Sequence, residues 1–155
     1  MFSVRTHSLR RQIVLSRPID EVFAFFSDAM NLERITPASV GFRILTPPPI
    51  IMQAGTLIDY RIRLFGIPMK WRTLIETYEP PTRFVDTQVV GPYAKWIHTH
   101  SFRSVDGGTE ITDNVDYQIP WGPVGEFAKF LFVSRTLKHI FDYRGKQIIK
   151  IFGSS

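Results

Sequence analysis

The 155-residue chain contains no cysteine. That absence removes disulfide frameworks, thiolate-ligated zinc, iron–sulfur clusters and thiol nucleophiles together. No window approaches about 18 uninterrupted apolar residues, and the start, MFSVRTHSLRRQ, carries no apolar stretch of a secretory signal. The expectation is a soluble, cytoplasmic protein with no transmembrane segment. Charge of one sign never gathers: 19 basic and 14 acidic residues leave +5, scattered along the chain without a reading element, so no nucleic-acid partner is expected. The densest basic stretch, from Lys129 to Lys150, reads as the solvated back of a helix that includes Lys138, Arg144 and Lys146. A phosphate cradle is missing as well, because Gly107-Gly108 is followed by strand-like sequence and reads as a hairpin turn. Repeats, low-complexity tracts and linkers are absent, which leaves one domain over residues 1–155.

Rings, by contrast, are plentiful: 13 Phe, 5 Tyr and 3 Trp, enough to line a pocket as well as a core. From His7 to Leu15 the apolar residues Leu9, Ile13 and Leu15 alternate with Arg10, Gln12 and Val14, which predicts a strand. Pro18 followed by Asp20 and Glu21 then opens a short helix over about 18–27, with Val22, Phe23 and Phe26 on its apolar face. A second short helix from Asp28 to Ile35 is stopped by Thr36-Pro37. Beyond Gly41 the period becomes two. Turn signals divide the sequence into six strands near 41–46, 56–64, 69–78, 83–90, 95–104 and 109–119, joined as an antiparallel meander. Gly122-Pro123 opens a long helix with Phe127, Phe130, Leu131, Leu137, Phe141 and Ile148 along one stripe.

These elements predict an α+β fold, a seven-stranded curved antiparallel sheet around the long C-terminal helix. A twisted sheet of that width has to cover one face, and only one long amphipathic partner exists. Such a helix is about 10–12 Å across with its side chains, narrower than the space inside the curve. An internal cavity follows.

The same element order, with Trp71, the run Gly91-Pro92-Tyr93-Ala94-Lys95-Trp96-Ile97-His98-Thr99-His100-Ser101-Phe102 and the segment from Thr109 to Gly122, resembles the START, birch-pollen-allergen and polyketide-cyclase superfamily, SRPBCC. The resemblance spans essentially the whole chain and is strongest to small bacterial members that are ligand-binding or cyclase/dehydrase-like. It implies a helix-grip fold and a small hydrophobic partner such as a lipid or a polyketide-like aromatic. It transfers no proven catalytic set.

Strand alternation names the residues that meet inside. Trp96, His98, His100 and Phe102 share one face, as do Ile111, Asp113, Val115 and Tyr117, and Phe84, Asp86 and Gln88. The expected lining is Tyr60, Trp71, Phe84, Trp96, Phe102, Tyr117, Phe127, Phe130, Leu131 and Phe141, with Gln88 and the candidate catalytic residues His98, His100, Asp86 and Asp113 as its polar end. Three roles stay open for that cluster: mutual satisfaction within the sheet, anchorage of a ligand's polar end, or acid–base work in a cyclisation, dehydration or hydrolysis. His98-Thr99-His100 with Asp86 or Asp113 has the composition of a three-ligand zinc site, but a lone HxH is a weak motif, and no metal or cofactor is assigned. His7 and His139 are expected to lack partners, Gly145 to relieve crowding or leave room for ligand, and Phe132 with Val133 to face a cavity entrance or a second copy in a homodimer.

Overall fold

The computed structural model describes residues 5–64, 66–120 and 126–153, with backbone alone over 126–129. Among the described residues there are seven strands: β1 (His7–Leu15), β2 (Arg43–Ile44), β3 (Leu57–Leu64), β4 (Ile67–Glu79), β5 (Arg83–Val90), β6 (Lys95–Val105) and β7 (Gly108–Gln118). They form one antiparallel sheet in the order β1-β7-β6-β5-β4-β3-β2, so the meander from β2 to β7 is completed by β1 pairing against β7. Between β1 and β2 lie helix α1 (Ile19–Phe26) and 3₁₀ turns over Ala29–Ile35 and Ala38–Val40; helix α2 (Glu126–Phe152) ends the fold. This is the expected helix-grip architecture. The expected α2 start at Gly122-Pro123 and the side chain of Phe127 lie outside the described residues.

Local chemistry accounts for the boundaries. Pro18 stands at the N-cap of α1 with extended φ and ψ, and Asp20 and Glu21 occupy the first turn, where the helix dipole favours acids. Asp28 caps the following 3₁₀ turn by accepting a hydrogen bond from the Met30 amide at 3.0 Å. Strand β2 is much shorter than expected. The 3₁₀ turn at Ala38–Val40, capped by Gly41 at φ 60°, takes up its start, and the imino nitrogens of Pro47, Pro48 and Pro49 offer no donors to its end.

Two local features shape the sheet. Register shifts between Arg72 and Thr73 and between Ile75 and Thr77 insert bulges into the β4–β5 ladder, and bulges sharpen local twist. At the β6–β7 hairpin, a Cβ on Gly108 would sit 1.9 Å from the Leu15 carbonyl oxygen. Only glycine lets β7 pass the end of β1 there.

The core divides into packed ends with a gap between them. At one end Leu15, Val22, Phe23, Phe26, Ile35, Phe84, Phe102, Ile111 and Ile148 pack α1 and the last turns of α2 against the sheet. Toward the other, Val40, Ile62, Trp71, Trp96, Val115, Tyr117, Leu137 and Phe141 join the middle of α2 to β3, β4, β6 and β7.

Candidate functional site

Between these clusters lies a cavity of about 160 Å³. Its floor is the concave sheet, with Ile58, Tyr60 and Ile62 from β3, Trp71, Thr73 and Ile75 from β4, Phe84 and Asp86 from β5, and Trp96, His98 and His100 from β6. The short helical segments supply Phe26, Ala29, Leu32, Thr36 and Val40, and α2 closes the space with Leu137, Ile140, Phe141 and Arg144. A dry hollow of this order holds a benzene-sized ring, and it is smaller than the roughly 300–1,000 Å³ of pockets for larger ligands.

One wall is polar. In the register, His98 stands opposite Asp86 on β5, and His100 opposite Asp113 on β7. The short hydrogen bonds run along the other diagonals: His98 Nε2 to Asp113 Oδ1 at 2.8 Å, and His100 Nε2 to Asp86 Oδ2 at 2.6 Å. The Nδ1 atoms complete the square more loosely, His98 Nδ1 at 3.9 Å from Asp86 Oδ2 and His100 Nδ1 at 3.4 Å from Asp113 Oδ1. Both imidazoles are buried and stack with centroids 3.7 Å apart, and the His100 ring also stacks on Phe84 at 4.0 Å.

Arg144 joins the wall from α2, its Nη2 3.5 Å from Asp113 Oδ1 and its guanidinium over the rings of Phe26 and Phe141. It is 8% exposed, not part of a solvated helix back as the charge pattern suggested. The spacing Leu137, Phe141, Arg144, Ile148 places it on the buried stripe. That spacing was the available signal, and the charge masked it.

The electrostatics follow from this packing. Burial pushes Asp86 up, but the His100 hydrogen bond and the charges of His98, His100 and Arg144 outweigh it, leaving the carboxyl below its usual range. Burial acts on Asp113 in the same sense, and Arg144 together with His98 and His100 holds it well below the ordinary value. Burial and the neighbouring His98 push His100 down to about 4, against the opposing pull of Asp86 and Asp113. At neutral pH, two carboxylates therefore face a neutral His100 and the fixed charge of Arg144. The His100 Nε2–H donates to Asp86, leaving Nδ1 buried with no hydrogen bond. Such carboxylate–imidazole pairs fix ring orientation and tautomer, and they can orient a ligand hydroxyl or carbonyl or exchange a proton with it.

Of the expected lining, Tyr60, Trp71, Phe84, Trp96 and Phe141 border the cavity with Asp86, His98 and His100. Several other residues do not. Phe102 packs against Phe23 and Phe26 in the core beneath α1. Tyr117 is buried between Trp96 and His7, and Phe130 stacks on His7 at 4.2 Å. His7 is thus buried among rings rather than partnerless. Leu131 is 40% exposed, because it falls one residue off the α2 stripe. The Gln88 amide folds back onto the Tyr93 backbone, donating to its carbonyl at 2.8 Å and accepting from its amide at 3.1 Å, so it clamps the β5–β6 turn. Asp113 contacts the cluster but opens on the opposite side, toward a groove between β1 and α2 bordered by Arg11, Ile13, Asp142 and Gly145. Gly145 relieves no crowding, since a Cβ there would meet no atom within 4 Å. His139 is exposed.

The lining from the short helices was missed because strand periodicity says nothing about which side chains of irregular segments turn inward. No helix among the described residues is long and apolar enough to cross a membrane.

Comparison with known proteins matches residues 15–140 to the family described as Polyketide cyclase / dehydrase and lipid transport. Among curated proteins, none matches the sequence. Solved structures give the same fold. Protein CV1439 from Chromobacterium violaceum is similar with a TM-score of 0.70 at 16% identity, over 96% of this chain and 98% of that one. The Zhui aromatase/cyclase from Streptomyces sp. R1128 gives 0.65 at 12% identity, over 95% and 96%. Ginseng major latex-like protein 151 from Panax ginseng gives 0.66 at 14%, over 97% and 99%. At these identities the likeness is one of fold.

Proposed function

The chain belongs to the polyketide cyclase / dehydrase and lipid transport family, and on that premise we propose that its cavity binds a small, mostly apolar, ring-containing molecule with a single polar end. The observation that carries this reading is the asymmetry of the cavity wall. Aliphatic and aromatic side chains surround most of the space, while Asp86, His98, His100 and Arg144 meet it together on one side. An empty apolar hollow favours any hydrophobe that fits, and buried donors and acceptors on one wall favour a hydrophobe carrying a hydroxyl or carbonyl there.

The isosteres p-cresol and p-xylene separate these contributions. Both match the cavity in size, and only one offers a hydroxyl. Calorimetric titration is expected to give p-cresol a dissociation constant on the order of 0.1–1 mM, in keeping with eight heavy atoms. Since a hydrogen bond to a charged group contributes about 1.5–3 kcal/mol, p-cresol should bind at least tenfold tighter than p-xylene. Equal affinities would remove the polar wall from recognition, and no binding of either would remove the cavity.

A second reading, proton transfer to and from a bound carbonyl compound, is favoured by the two imidazole–carboxylate hydrogen bonds beside the same space. A general base would draw a proton from the carbon between two carbonyls, leaving an enolate, and return a proton from solvent. Deuterium exchange at that carbon in acetylacetone, a dicarbonyl small enough for the cavity, followed by NMR, tests it. The protein should accelerate exchange, and His98→Gln should abolish the acceleration. Exchange at the buffer rate with the native protein would leave binding alone.

A further inference from the structure

We infer that Asp86, His98 and His100 form a binding site for one divalent first-row transition ion, with Asp113 as the carboxylate that orients both imidazoles. The metal would sit on the polar wall of the cavity. This does not depend on which organic ligand the cavity takes.

The donor atoms already converge. One oxygen of Asp86 and one nitrogen from each imidazole all lie within 4.8 Å of one another. His98 Nδ1 is 3.9 Å from Asp86 Oδ2, and His100 Nε2 is 2.6 Å from the same oxygen. Tetrahedral coordination at about 2.0–2.1 Å separates donors by roughly 3.3 Å. The 3.9 Å distance has to close and the 2.6 Å distance to open, each by roughly 0.6–0.7 Å, and the two ring nitrogens, within 4.8 Å of each other, have to come to the same spacing, which side-chain rotations of both imidazoles supply.

The nitrogens that would face away from the metal are also provided for. A ligating imidazole hands its second N–H to a carboxylate or carbonyl. Here His98 Nε2 is 2.8 Å and His100 Nδ1 3.4 Å from a single atom, Asp113 Oδ1. Without a metal, His100 Nδ1 is buried and makes no hydrogen bond. With the proton moved from Nε2 to Nδ1 and the metal on Nε2, that atom becomes a donor 3.4 Å from Asp113 Oδ1, which a rotation of the His100 ring has to bring into line for a hydrogen bond. Arg144 Nη2, at 3.5 Å from the same oxygen, holds the carboxylate in place. One structural oddity and one long contact thus become parts of a single arrangement.

Two imidazoles and one carboxylate suit zinc or ferrous iron, whereas magnesium and calcium require mostly oxygen ligands. The three donors all border the cavity, so the remaining coordination positions open onto the space where a ligand's oxygen would lie. That is the pattern of sites with three protein ligands and an open position.

The test uses the full chain after treatment with a chelator and removal of that chelator. Zinc is titrated in competition with a chromophoric indicator, and cobalt is added as a spectroscopic probe. One equivalent is expected to bind. Asp86→Asn and His98→Gln should each weaken binding at least 100-fold, and Asp113→Asn by about 10–100-fold, as carboxylates behind ligating histidines do. His139→Gln, at an exposed helix position, should change nothing. Cobalt bound at four-coordination should give an intense visible band that free cobalt lacks and that Asp86→Asn removes. If a variant fails to fold, imidazole nitrogen NMR of the native protein decides instead: zinc should shift His98 Nδ1 and His100 Nε2. The inference is overturned if zinc fails to bind, if its binding survives Asp86→Asn and His98→Gln, or if it leaves both imidazoles unshifted. The cresol titration in metal-free protein reads the ligand proposal separately.

Discussion

Replacing Arg144 with Met keeps most of the aliphatic stem and removes the one permanent cation of the polar wall. What remains is Asp113, buried, with its charge met by the 2.8 Å hydrogen bond from His98 and by the His100 ring 3.4 Å away. Breaking a buried ion pair from one side costs about 3–5 kcal/mol. The Arg144–Asp113 separation is long for a hydrogen bond at 3.5 Å, so the lower end applies, about 3 kcal/mol. Lost contacts of the guanidinium with the Phe26 and Phe141 rings lie within that figure. In a domain of this length 3 kcal/mol lowers Tm by about 6–12 °C. The informative assay is a double-mutant cycle by urea unfolding. Asp113→Asn removes the charge that Arg144 compensates, so the double variant should be at least about 2 kcal/mol more stable than the two single losses predict. A coupling below about 0.5 kcal/mol would show that Arg144 does not stabilise Asp113, and the electrostatic account of the wall would be wrong.

The remaining predictions are briefer. In metal-free protein the folded His100 titrates at about 4 against 6.5 in its unfolded form. The unfolded chain therefore binds the extra proton between those values, and stability falls as pH drops from 6.5 to 4. The full contribution is about 3 kcal/mol. His100→Gln should flatten that part of the urea-midpoint profile, and an unchanged slope would contradict the assigned burial effect. Val40→Phe, which directs a ring into the cavity, should reduce p-cresol affinity at least tenfold while costing no more than about 1–3 kcal/mol of stability; undiminished binding would place the ligand elsewhere. Gly108→Ala should be strongly destabilising, by more than about 3 kcal/mol, since its methyl would collide with the Leu15 carbonyl. Thermal unfolding of that variant within 3 °C of the native protein would refute the close approach. Leu131→Ala, at an exposed position on α2, should change stability by less than about 0.5 kcal/mol and leave cresol binding intact.

Much of this fold is legible in the sequence because strands announce themselves through alternation. The pattern Trp96, His98, His100, Phe102 admitted one inward face, and all four side chains are buried. The same rule brought Asp86 and Asp113 to either side of the histidines. Alternation does not determine which diagonal a hydrogen bond follows. The 2.8 and 2.6 Å contacts depend on sheet twist and ring rotation, which no linear pattern records. Helical residues were harder to place. A charged residue on an apolar stripe looks like a surface residue until its partner is known, and the partner of Arg144 lies 31 positions away on β7. Gln88 was misplaced for a related reason: its side chain satisfies the nearby Tyr93 backbone, a local contact that competes with the inward direction set by the strand.

Intermolecular NOEs to bound p-cresol test the central claim most directly. The account predicts contacts from its methyl and ring protons to Ile58, Ile62 and Ile75, and from the hydroxyl-bearing edge to His98 or His100. NOEs confined to exposed residues such as Leu131 and Ile149, or none to the sheet interior at saturating ligand, would contradict it.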